Sequence, residues 1–504
     1  MEHQLPGQYS CTKYAGCIAL QPDINFSSAQ TIYFPPMAYF CSPLYLARPD
    51  PFFRLPLLAY GDLYMLRTIV FILLSLDFYG TNLAFGQGAD SLLVDADLSN
   101  CIQYALKHQP LANQSAIDEK IADREIKTKL ADWLPQINLN ANYQNNFILQ
   151  QTQFGPNVIN IGTYNSSYAQ FGLTQTIFDR DVLLARTSAK DVRTEFSQLT
   201  TNTKIIIVSA VSKAFYDVLL SKKQIELIDE DIILLERSLK DAYNQYKGGL
   251  VDKTDYQRAT ISLNNARAQK KISEELLKSK YATLKQLMSY PQEHSISLRS
   301  DSLRMANEVL SIDTLKQVLP ENRIEYQLLE TQKKLLQANL RYYKWGFLPS
   351  LSAVAQYNFN WFNNDFVKLY AYNFPNAYAG LNLSFPIFQG TKRTQQIRMA
   401  QLQLSRLEYD FVAMKDSIYA QYTEALSSYK SNLNNYFIQR ENLSLAKEVY
   451  DVIHLQYQAG IKTYLDVIAA NNDLFQAQIN FVNAAFQVLI NKVDVQRALG
   501  ALEY

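Results

Sequence analysis

The stretch Gln136-Ile-Asn-Leu-Asn-Ala-Asn-Tyr-Gln144 alternates polar and apolar side chains without a break. This period-two alternation predicts a β-strand with one apolar and one polar face. Three further stretches follow the same rule, each with at most one exception: Ala169–Ile177, Ser350–Trp361 and Ala379–Ile387. The strands run for about 10–14 residues, whereas about 5–6 is usual in soluble sheets and about 9–11 suffice to cross a bilayer.

The polar face of these strands carries almost no charge, because it consists of Asn, Gln, Ser and Thr. Aromatic side chains recur near the strand ends: Tyr143, Phe147, Phe178, Tyr357, Phe359, Trp361, Phe385 and Phe388. Both features are typical of strands in outer-membrane barrels. The alternative is a soluble antiparallel sheet, which would normally place Lys and Glu on its wet face.

Two long stretches, Asp181–Lys247 and Thr391–Gln458, contain no proline and predict helices. About 67 residues of helix would be about 100 Å long. Apolar residues recur at steps of three or four, and a second such seam returns after Gly249 and after Gly460. The pattern therefore predicts two helical hairpins, each with a left-handed glycine at its tip. Taken alone, the stripes favour a solvated structural coiled coil.

An internal repeat relates the two halves of the chain. Five pairs of identical residues are separated by the same 211 positions: Tyr246 and Tyr457, Gly249 and Gly460, Asp255 and Asp466, Leu263 and Leu474, and Ala266 and Ala477. A solenoid repeat is much shorter than this. We therefore expect a duplicated structural half, over about residues 98–290 and 310–502.

The amino-terminal part differs from the rest. The first 64 residues hold eight of the 16 prolines and three of the four cysteines. Residues 65–86 then combine a basic residue, an apolar run and a small-x-small site, which is typical of a secretory signal peptide. A buried strand or short core helix is the alternative. Because signal sequences work near an amino terminus, we expect residues 1–64 to be a disordered upstream over-extension and the mature chain to begin near Gln87.

The composition excludes several function classes. The 48 basic and 47 acidic residues give a net charge of +1, which argues against nucleic-acid binding. Four cysteines and four histidines leave little room for a disulfide scaffold or an imidazole metal cluster. The chain has no phosphate-binding glycine loop, no His-Glu-x-x-His and no nucleophile elbow. We therefore predict that the protein is not an enzyme and has no cofactor.

Four membrane-length strands are too few to close a barrel. An open sheet edge in lipid would leave unpaired backbone groups at a cost of several kcal/mol each, so subunits must pool their strands. Three copies give twelve strands, the smallest multiple of four with an open lumen. The sequence thus predicts a trimeric conduit that crosses an outer membrane and reaches far into the periplasm. The rival interpretations are a soluble periplasmic coiled-coil adaptor and a membrane-associated enzyme.

The chain resembles the TolC-like outer membrane efflux proteins. The likeness covers about residues 96–502 and is carried by five motifs: Leu98–Leu106, Ala131–Ile137, Pro386–Phe388, the two Tyr-x-x-Gly hairpins and Gln496–Gly500. It implies a homotrimer with a 12-stranded β-barrel in outer-membrane lipid and a periplasmic barrel of α-helices. It also implies passive export, in which an inner-membrane transporter supplies substrate through a periplasmic adaptor protein.

The resemblance also implies roles for residues at the hairpin tips. Asp255 resembles an acid that holds the periplasmic mouth closed, and Tyr457 and Lys462 resemble its aromatic and basic partners. Lys462 stands where the best-known members have arginine, so a bidentate fork is lost. Asp466 resembles an acid that would form a cation-attracting ring in a trimer, whereas Ala469 stands where the family has a second acid. The alternative is that these are ordinary surface charges near helix ends.

Further tip residues are expected to dock the adaptor: Gly249, Leu250, Thr254, Gly460, Ile461 and Thr463. After the signal peptide, the predicted division of the chain has six parts: an amino-terminal helix and equatorial region (87–132), a first strand pair (133–178), a first helical hairpin (179–290), an equatorial linker and helix (291–346), a second strand pair (347–388) and a second hairpin with the carboxyl-terminal end (389–504).

Overall fold

The structure, a computed structural model, describes residues 95–249, 251–299 and 317–502. All of them belong to one compact unit, which covers Ala89–Tyr504. The predicted signal peptide and upstream extension lie outside the described residues, and so does Leu250.

Helices make up most of the described chain. Its α-helices are α1 (Leu98–His108), α2 (Pro110–Ala131), α3 (Arg180–Lys247), α4 (Lys253–Met288), α5 (Ile324–Trp345), α6 (Lys392–Gln458) and α7 (Tyr464–Ala498). Within the described ranges, no helix is both long enough and apolar enough to cross a membrane.

The strands are β1 (Asp95–Ala96), β2 (Gln136–Asn145), β3 (Gln150–Phe154), β4 (Asn157–Ile161), β5 (Asn165–Phe178), β6 (Ser297–Leu298), β7 (Ser350–Asn363) and β8 (Asn376–Ser384). The main sheet is antiparallel in the order β2-β5-β7-β8. Its edge strands β2 and β8 are exposed along their whole length. The predicted combination of long helices and a four-stranded sheet is confirmed.

The register of the main sheet separates polar from apolar side chains. One row of paired residues crosses all four strands as Asn140, Gln170, Asn358 and Asn376, and all four are amides. The neighbouring row, on the opposite face, reads Leu139, Phe171, Tyr357 and Ala377. Because successive side chains point to opposite faces of a strand, one face of the sheet is polar and the other is apolar.

The prediction of a single strand pair in residues 133–178 was incomplete. Between β2 and β5 the chain forms a second, separate hairpin of β3 and β4. Its turn contains Gly155, whose φ of 64° favours glycine, followed by Pro156. The segment is only five residues per strand, and its glutamine-rich sequence lacks the strict alternation that marked the longer strands.

The helices α3 and α6 have 68 and 67 residues, close to the predicted length. Neither helix contains a proline, which would remove a backbone hydrogen bond, or a glycine, which would lower its helix propensity. The Asp179 side chain accepts a hydrogen bond from the Asp181 amide at 2.7 Å and so caps the start of α3.

The hydrophobic core lies along α3 and α7. Four residues of this core are essentially inaccessible to solvent: Val211 and Val218 of α3, and Val488 and Leu489 of α7. The last helix α7 packs on both α6 and α3, and an ion pair of 2.5 Å between Lys213 and Asp494 joins α3 to α7. Burial of large aliphatic side chains, at about 1.5–3 kcal/mol each, holds these helices in place.

A buried arginine ties the end of the chain to its middle. The guanidinium of Arg323, 4% exposed, pairs with Glu325 and donates to the Ala498 carbonyl and the Gln421 side chain. Gly500 follows with a φ of 67°, and a Cβ there would lie 2.6 Å from the Asn322 carbonyl oxygen. The contacts of Arg323 therefore hold together the start of α5, the middle of α6 and the end of α7.

Candidate functional site at the hairpin tips

Each long helical hairpin reverses through a short turn. Between α3 and α4 the turn contains Gly249, with a φ of 72°, and between α6 and α7 it contains Gly460, with a φ of 74°. An L side chain in this left-handed region is strained, so glycine is favoured at both positions. The glycines that the sequence placed at the two tips are therefore where the chain reverses.

The second tip is fastened by a capping box. The carboxylate of Asp466 accepts hydrogen bonds from the Thr463 amide at 2.9 Å and from the Thr463 hydroxyl at 2.8 Å. In return the Thr463 hydroxyl oxygen accepts from the Asp466 amide at 3.4 Å. The bonds from Thr463, with a smaller contribution from Lys462, lower the pKa of Asp466. Asp466 therefore stays ionised in neutral solution and holds the first turn of α7.

The helix that follows the first tip, α4, has a less complete N-terminal cap. Asp252 occupies the N-cap position of α4, but its side chain makes no capping hydrogen bond. Asp255 lies in the first turn of α4, where a negative charge is favoured by the helix dipole. The two tips thus share their glycine and their acid, but only the second has a complete cap.

An apolar cluster joins the two hairpins beside the tips. It contains Tyr457, Tyr464 and Val467 from the second hairpin and Ala242 and Ala259 from the first. The rings of Tyr457 and Tyr464 lie 5.9 Å apart, and both side chains are buried. The alanines matter here because only small residues on α3 and α4 leave room for two tyrosine rings.

One hydrogen bond also crosses between the hairpins at this point. The Tyr457 hydroxyl donates to the Gln245 side chain of α3 at 2.8 Å. Burial raises the pKa of Tyr457 and of Tyr464, and the negative charges of Asp241 and Asp255 add to the effect. Both tyrosines therefore remain neutral over the physiological pH range. Tyr457 is hydrogen-bonded to Gln245, whereas the buried Tyr464 hydroxyl has no hydrogen-bond partner among the described residues.

The structure places the predicted gate residues in two groups. Tyr457 is buried in the cluster and Asp255 lies half-buried beside it, whereas Lys462 is exposed on the turn. Within the described ranges neither Asp255 nor Lys462 has an ion-pair partner. Inside one protomer, the partner of Tyr457 is Gln245 and the partner of Asp466 is Thr463. The predicted docking residues Gly249, Thr254, Gly460, Ile461 and Thr463 are all exposed at the tips.

A second polar bridge lies further along the hairpins. The buried Asn471 amide of α7 donates to the Asp231 carboxylate of α3 at 2.8 Å. Burial raises the pKa of Asp231, and this hydrogen bond only partly offsets the shift. The sequence analysis missed the pair, although Asp231 stands three residues after Ile228 and four before Leu235, on the apolar seam itself. An acidic residue among the apolar seam positions was the sequence feature that could have indicated this pair.

The described residues contain no group of three or more His, Cys, Asp or Glu side chains that could hold a metal ion. In the part of the tips that the structure describes, the exposed residues include the polar Thr254, Lys462 and Thr463 and the apolar Ile461. Chemically, this arrangement can bind cations or a protein surface.

The sequence model of the family described as "Outer membrane efflux protein" matches residues 101–289 and 319–501. The chain belongs to the outer membrane efflux protein family. Its members are outer-membrane channel proteins rather than enzymes, and this protein is accordingly an outer-membrane protein. The matched ranges include both helical hairpins and both long strand pairs.

The sequences of two relatives align with most of this chain. Outer membrane protein TolC of Salmonella enteritidis is 24% identical over 440 residues, which cover 82% of this chain and 84% of the relative. Outer membrane protein TolC of Vibrio cholerae is 22% identical over 417 residues, with coverage of 81% and 91%.

Solved structures show the same fold. The outer membrane protein VceC of Vibrio cholerae superposes with a TM-score of 0.64 at 14% identity and covers 80% of this chain and 96% of its own. CusC superposes with a TM-score of 0.66 at 16% identity, with coverage of 83% and 95%. At these identities the likeness concerns the fold alone.

Proposed function

We propose that this efflux-family protein is the outer-membrane exit duct of a tripartite efflux or type I secretion system. In this role it passively conducts substrates that an inner-membrane transporter delivers through a periplasmic adaptor. The observation that carries the proposal is the open four-stranded sheet, with one polar face, one apolar face and two unpaired edges. Such a sheet is stable in lipid only when other copies pair with its edges.

A homotrimer with a 12-stranded barrel is the proposed assembly. Antiparallel pairing of β8 of one copy with β2 of the next would close the ring and leave no edge. The row of Asn140, Gln170, Asn358 and Asn376 would then line a neutral, hydrated lumen, and the row containing Leu139 and Phe171 would face lipid.

Exposed apolar stripes on the helices support the same assembly. Along α6, two sets of large apolar side chains repeat at steps of seven and three, and each is at least half exposed: Leu402, Tyr409 and Val412, then Leu445, Val452 and Leu455. Helix α4 exposes Ile261, Ile272 and Leu276. Heptad spacing is the pattern of a coiled-coil seam, and these seams have no partner inside the protomer.

We also propose that the tips form the periplasmic gate and the adaptor-docking surface. In a trimer, Asp466 would recur three times around the pore entrance. Its lowered pKa keeps each carboxylate ionised, so the ring would attract cations. Asp255, Tyr457 and Lys462 would supply the contacts between neighbouring hairpins that keep the mouth closed.

The duplication of a structural half remains a proposal of the same kind. It is supported by the paired bounds of α3–α4 and α6–α7 and by the equivalent glycines at their tips.

The function is tested by deleting the gene and exposing the strain to a panel of toxic compounds, together with a profile of secreted proteins. An exit duct predicts increased sensitivity or lost secretion, restored by the intact gene. The assembly is tested by the mass of the detergent-solubilised protein. A monomeric mass would reject the exit-duct proposal.

The proposed gate is tested by single-channel recording of Asp466→Asn in planar bilayers. Cation selectivity and block by trivalent cations should both decrease, because the ring loses its charge. Glu275→Gln, at an exposed acid about six turns from the start of α4, is the control and should leave both unchanged. Equal behaviour of the Asp466→Asn variant and the natural protein would reject the ring.

A further inference from the structure

The separate hairpin of β3 and β4 has an apolar face that its own protomer leaves uncovered. Paired residues share a face, so Thr152 lies beside Ile159 and Gln150 beside Ile161. Phe154 belongs to the same face, and its exposure of 76% compares with 45% for Ile159 and 50% for Ile161. The opposite face carries Gln151, Gln153, Asn160 and one apolar residue, Val158.

This hairpin needs a partner for physical reasons. A two-stranded sheet alone is marginally stable in water, and a contiguous exposed apolar face marks an interaction site. There is no charged residue between Asp132 and Asp179, so the hairpin can be covered without burying a charge.

A second uncovered apolar surface lies at the same end of the sheet. It belongs to the 3-10 helix Phe366–Ala371 and to the residues that lead into β8. Leu369 anchors this segment, since it is 1% exposed, and the Tyr370 ring packs 5.3 Å from the Trp361 ring. The Phe366 ring packs 5.6 Å from the Tyr143 ring of β2 in the same protomer. Val367, Tyr372 and Phe374 are 90%, 74% and 54% exposed.

The sheet topology determines which copies would bring these surfaces together. Three successive antiparallel pairings make β2 and β8 run in opposite directions. When β8 of one copy pairs antiparallel with β2 of the next, the end of β2 at Asn145 meets the start of β8 at Asn376. The β3–β4 hairpin follows directly after the first, and the 366–374 segment directly precedes the second. They therefore lie on two sides of the same seam between subunits.

We propose that the apolar face of each β3–β4 hairpin packs on Val367, Tyr372 and Phe374 of the partner subunit, forming a clasp across each seam at the outer rim. This inference rests on the proposed trimer. Lys368 is the charged residue of the partner's segment, and its ammonium lies 3.9 Å from the carboxylate of the preceding Asp365. The hairpin face carries no charge, since its other residues are Gln150, Thr152 and Asn157. The clasp fastens the seam at the end of the barrel farthest from the helices.

The clasp is tested by disulfide formation in the full-length protein in its native membrane. Ile159→Cys is combined in turn with Val367→Cys, Tyr372→Cys and Phe374→Cys, and mild oxidation should give cross-linked dimers and trimers on non-reducing gels for at least one pair. The natural Cys101 is fully buried, and Cys11, Cys17 and Cys41 are replaced by Ser in every variant, so that no natural thiol contributes. The matched control, Asn160→Cys with the same three partners, points to the opposite face and should give none.

Two results would overturn the clasp. One is a protein that is trimeric by mass in mild detergent but shows no cross-link for any pair. The other is efficient cross-linking of Ile159→Cys alone, which would place the hairpins against one another instead. A monomeric mass would reject the exit-duct proposal as well, so the two failures are distinguishable.

A second measurement does not depend on cysteine geometry. Ile159→Asn together with Ile161→Asn should lower the temperature at which the trimer dissociates on semi-native gels, because both remove apolar contact with the partner subunit. Val158→Asn, on the opposite face, should leave it unchanged. Equal dissociation temperatures for both variants would contradict the clasp.

Discussion

The two long helical hairpins have similar helix lengths but are held together differently. The first is joined by three ion pairs between α3 and α4: Asp217 with Lys280 at 2.8 Å, Asp229 with Lys270 at 2.6 Å, and Glu236 with Arg267 at 2.8 Å. No ion pair joins α6 to α7 within the described ranges. There the contacts are apolar, such as the Tyr436 and Phe481 rings at 5.4 Å.

The difference follows from what surrounds the returning helix. Helix α7 packs on α3 as well as on α6 and has fifteen buried residues, whereas α4 has four. A helix with water on one side can keep charged partners at modest cost, but a helix between two others must be apolar, because unpaired buried charge is costly. The sequences of the two hairpins therefore differ according to what each returning helix packs against.

The largest expected effect is in the buried helix. Leu489→Ala in α7 should lower the free energy of unfolding by about 2–5 kcal/mol, because it opens a cavity in a fully packed core. Leu276→Ala in α4 is the matched change at a residue that is 51% exposed in the protomer. Thermal unfolding in detergent, followed by helical circular dichroism, compares them. A smaller loss at Leu489 than at Leu276 would contradict the comparison, whereas an equally large loss at Leu276 fits its proposed burial by a neighbouring subunit.

The next effect concerns the tips. Thr463→Ala removes the capping box of the second hairpin and should destabilise the start of α7 by about 0.5–2 kcal/mol. Asp252→Ala at the first tip should have a smaller effect, because that side chain makes no capping bond. Hydrogen exchange of the tip peptides measures both. Equal acceleration of exchange at the two tips would contradict the difference in capping.

A smaller effect should appear at the bridge between Asp231 and Asn471. Burial raises the pKa of Asp231 above its unfolded value of about 3.9. Stability is therefore greatest below that value and is lost as the pH rises through the folded pKa. Asp231→Asn should remove this loss, so that the variant gains thermal stability relative to the natural protein from pH 4 to pH 7. If the difference in thermal stability between the variant and the natural protein stayed constant from pH 4 to pH 7, the raised pKa of Asp231 would be contradicted.

The smallest effect is expected at the surface ion pairs of the first hairpin. Arg267→Gln should cost about 0.2–1 kcal/mol, and the cost should shrink in high salt. Lys271→Gln is the control, since Lys271 pairs only with Glu274 and Glu275 of its own helix. Hydrogen exchange across α3 and α4 at two salt concentrations is the measurement. Loosening of α3 against α4 by Lys271→Gln alone would show that the ion pairs between the helices do not matter.

Much of this architecture could be predicted from local patterns. Alternation located the long strands, the absence of proline located α3 and α6, and the repeated Tyr-x-x-Gly motif located both tips. The β3–β4 hairpin was missed because its strands are short and do not alternate strictly between polar and apolar residues. The tip cluster was only partly predicted, since Tyr457 was named for a gate while Gln245 and Tyr464, its neighbours inside the protomer, were not.

The sequence by itself determined which segments are strands, which are helices and where each hairpin turns, because periodicity and glycine conformation are local properties. Only the tertiary structure decided that α7 packs on α3 as well as on α6, and that Asp231 meets Asn471. These depend on contacts between residues hundreds of positions apart, and no local pattern specifies which buried faces meet. The apolar residues that share one face of the β3–β4 hairpin became visible only once the register of its two strands was known, because these short strands do not alternate strictly.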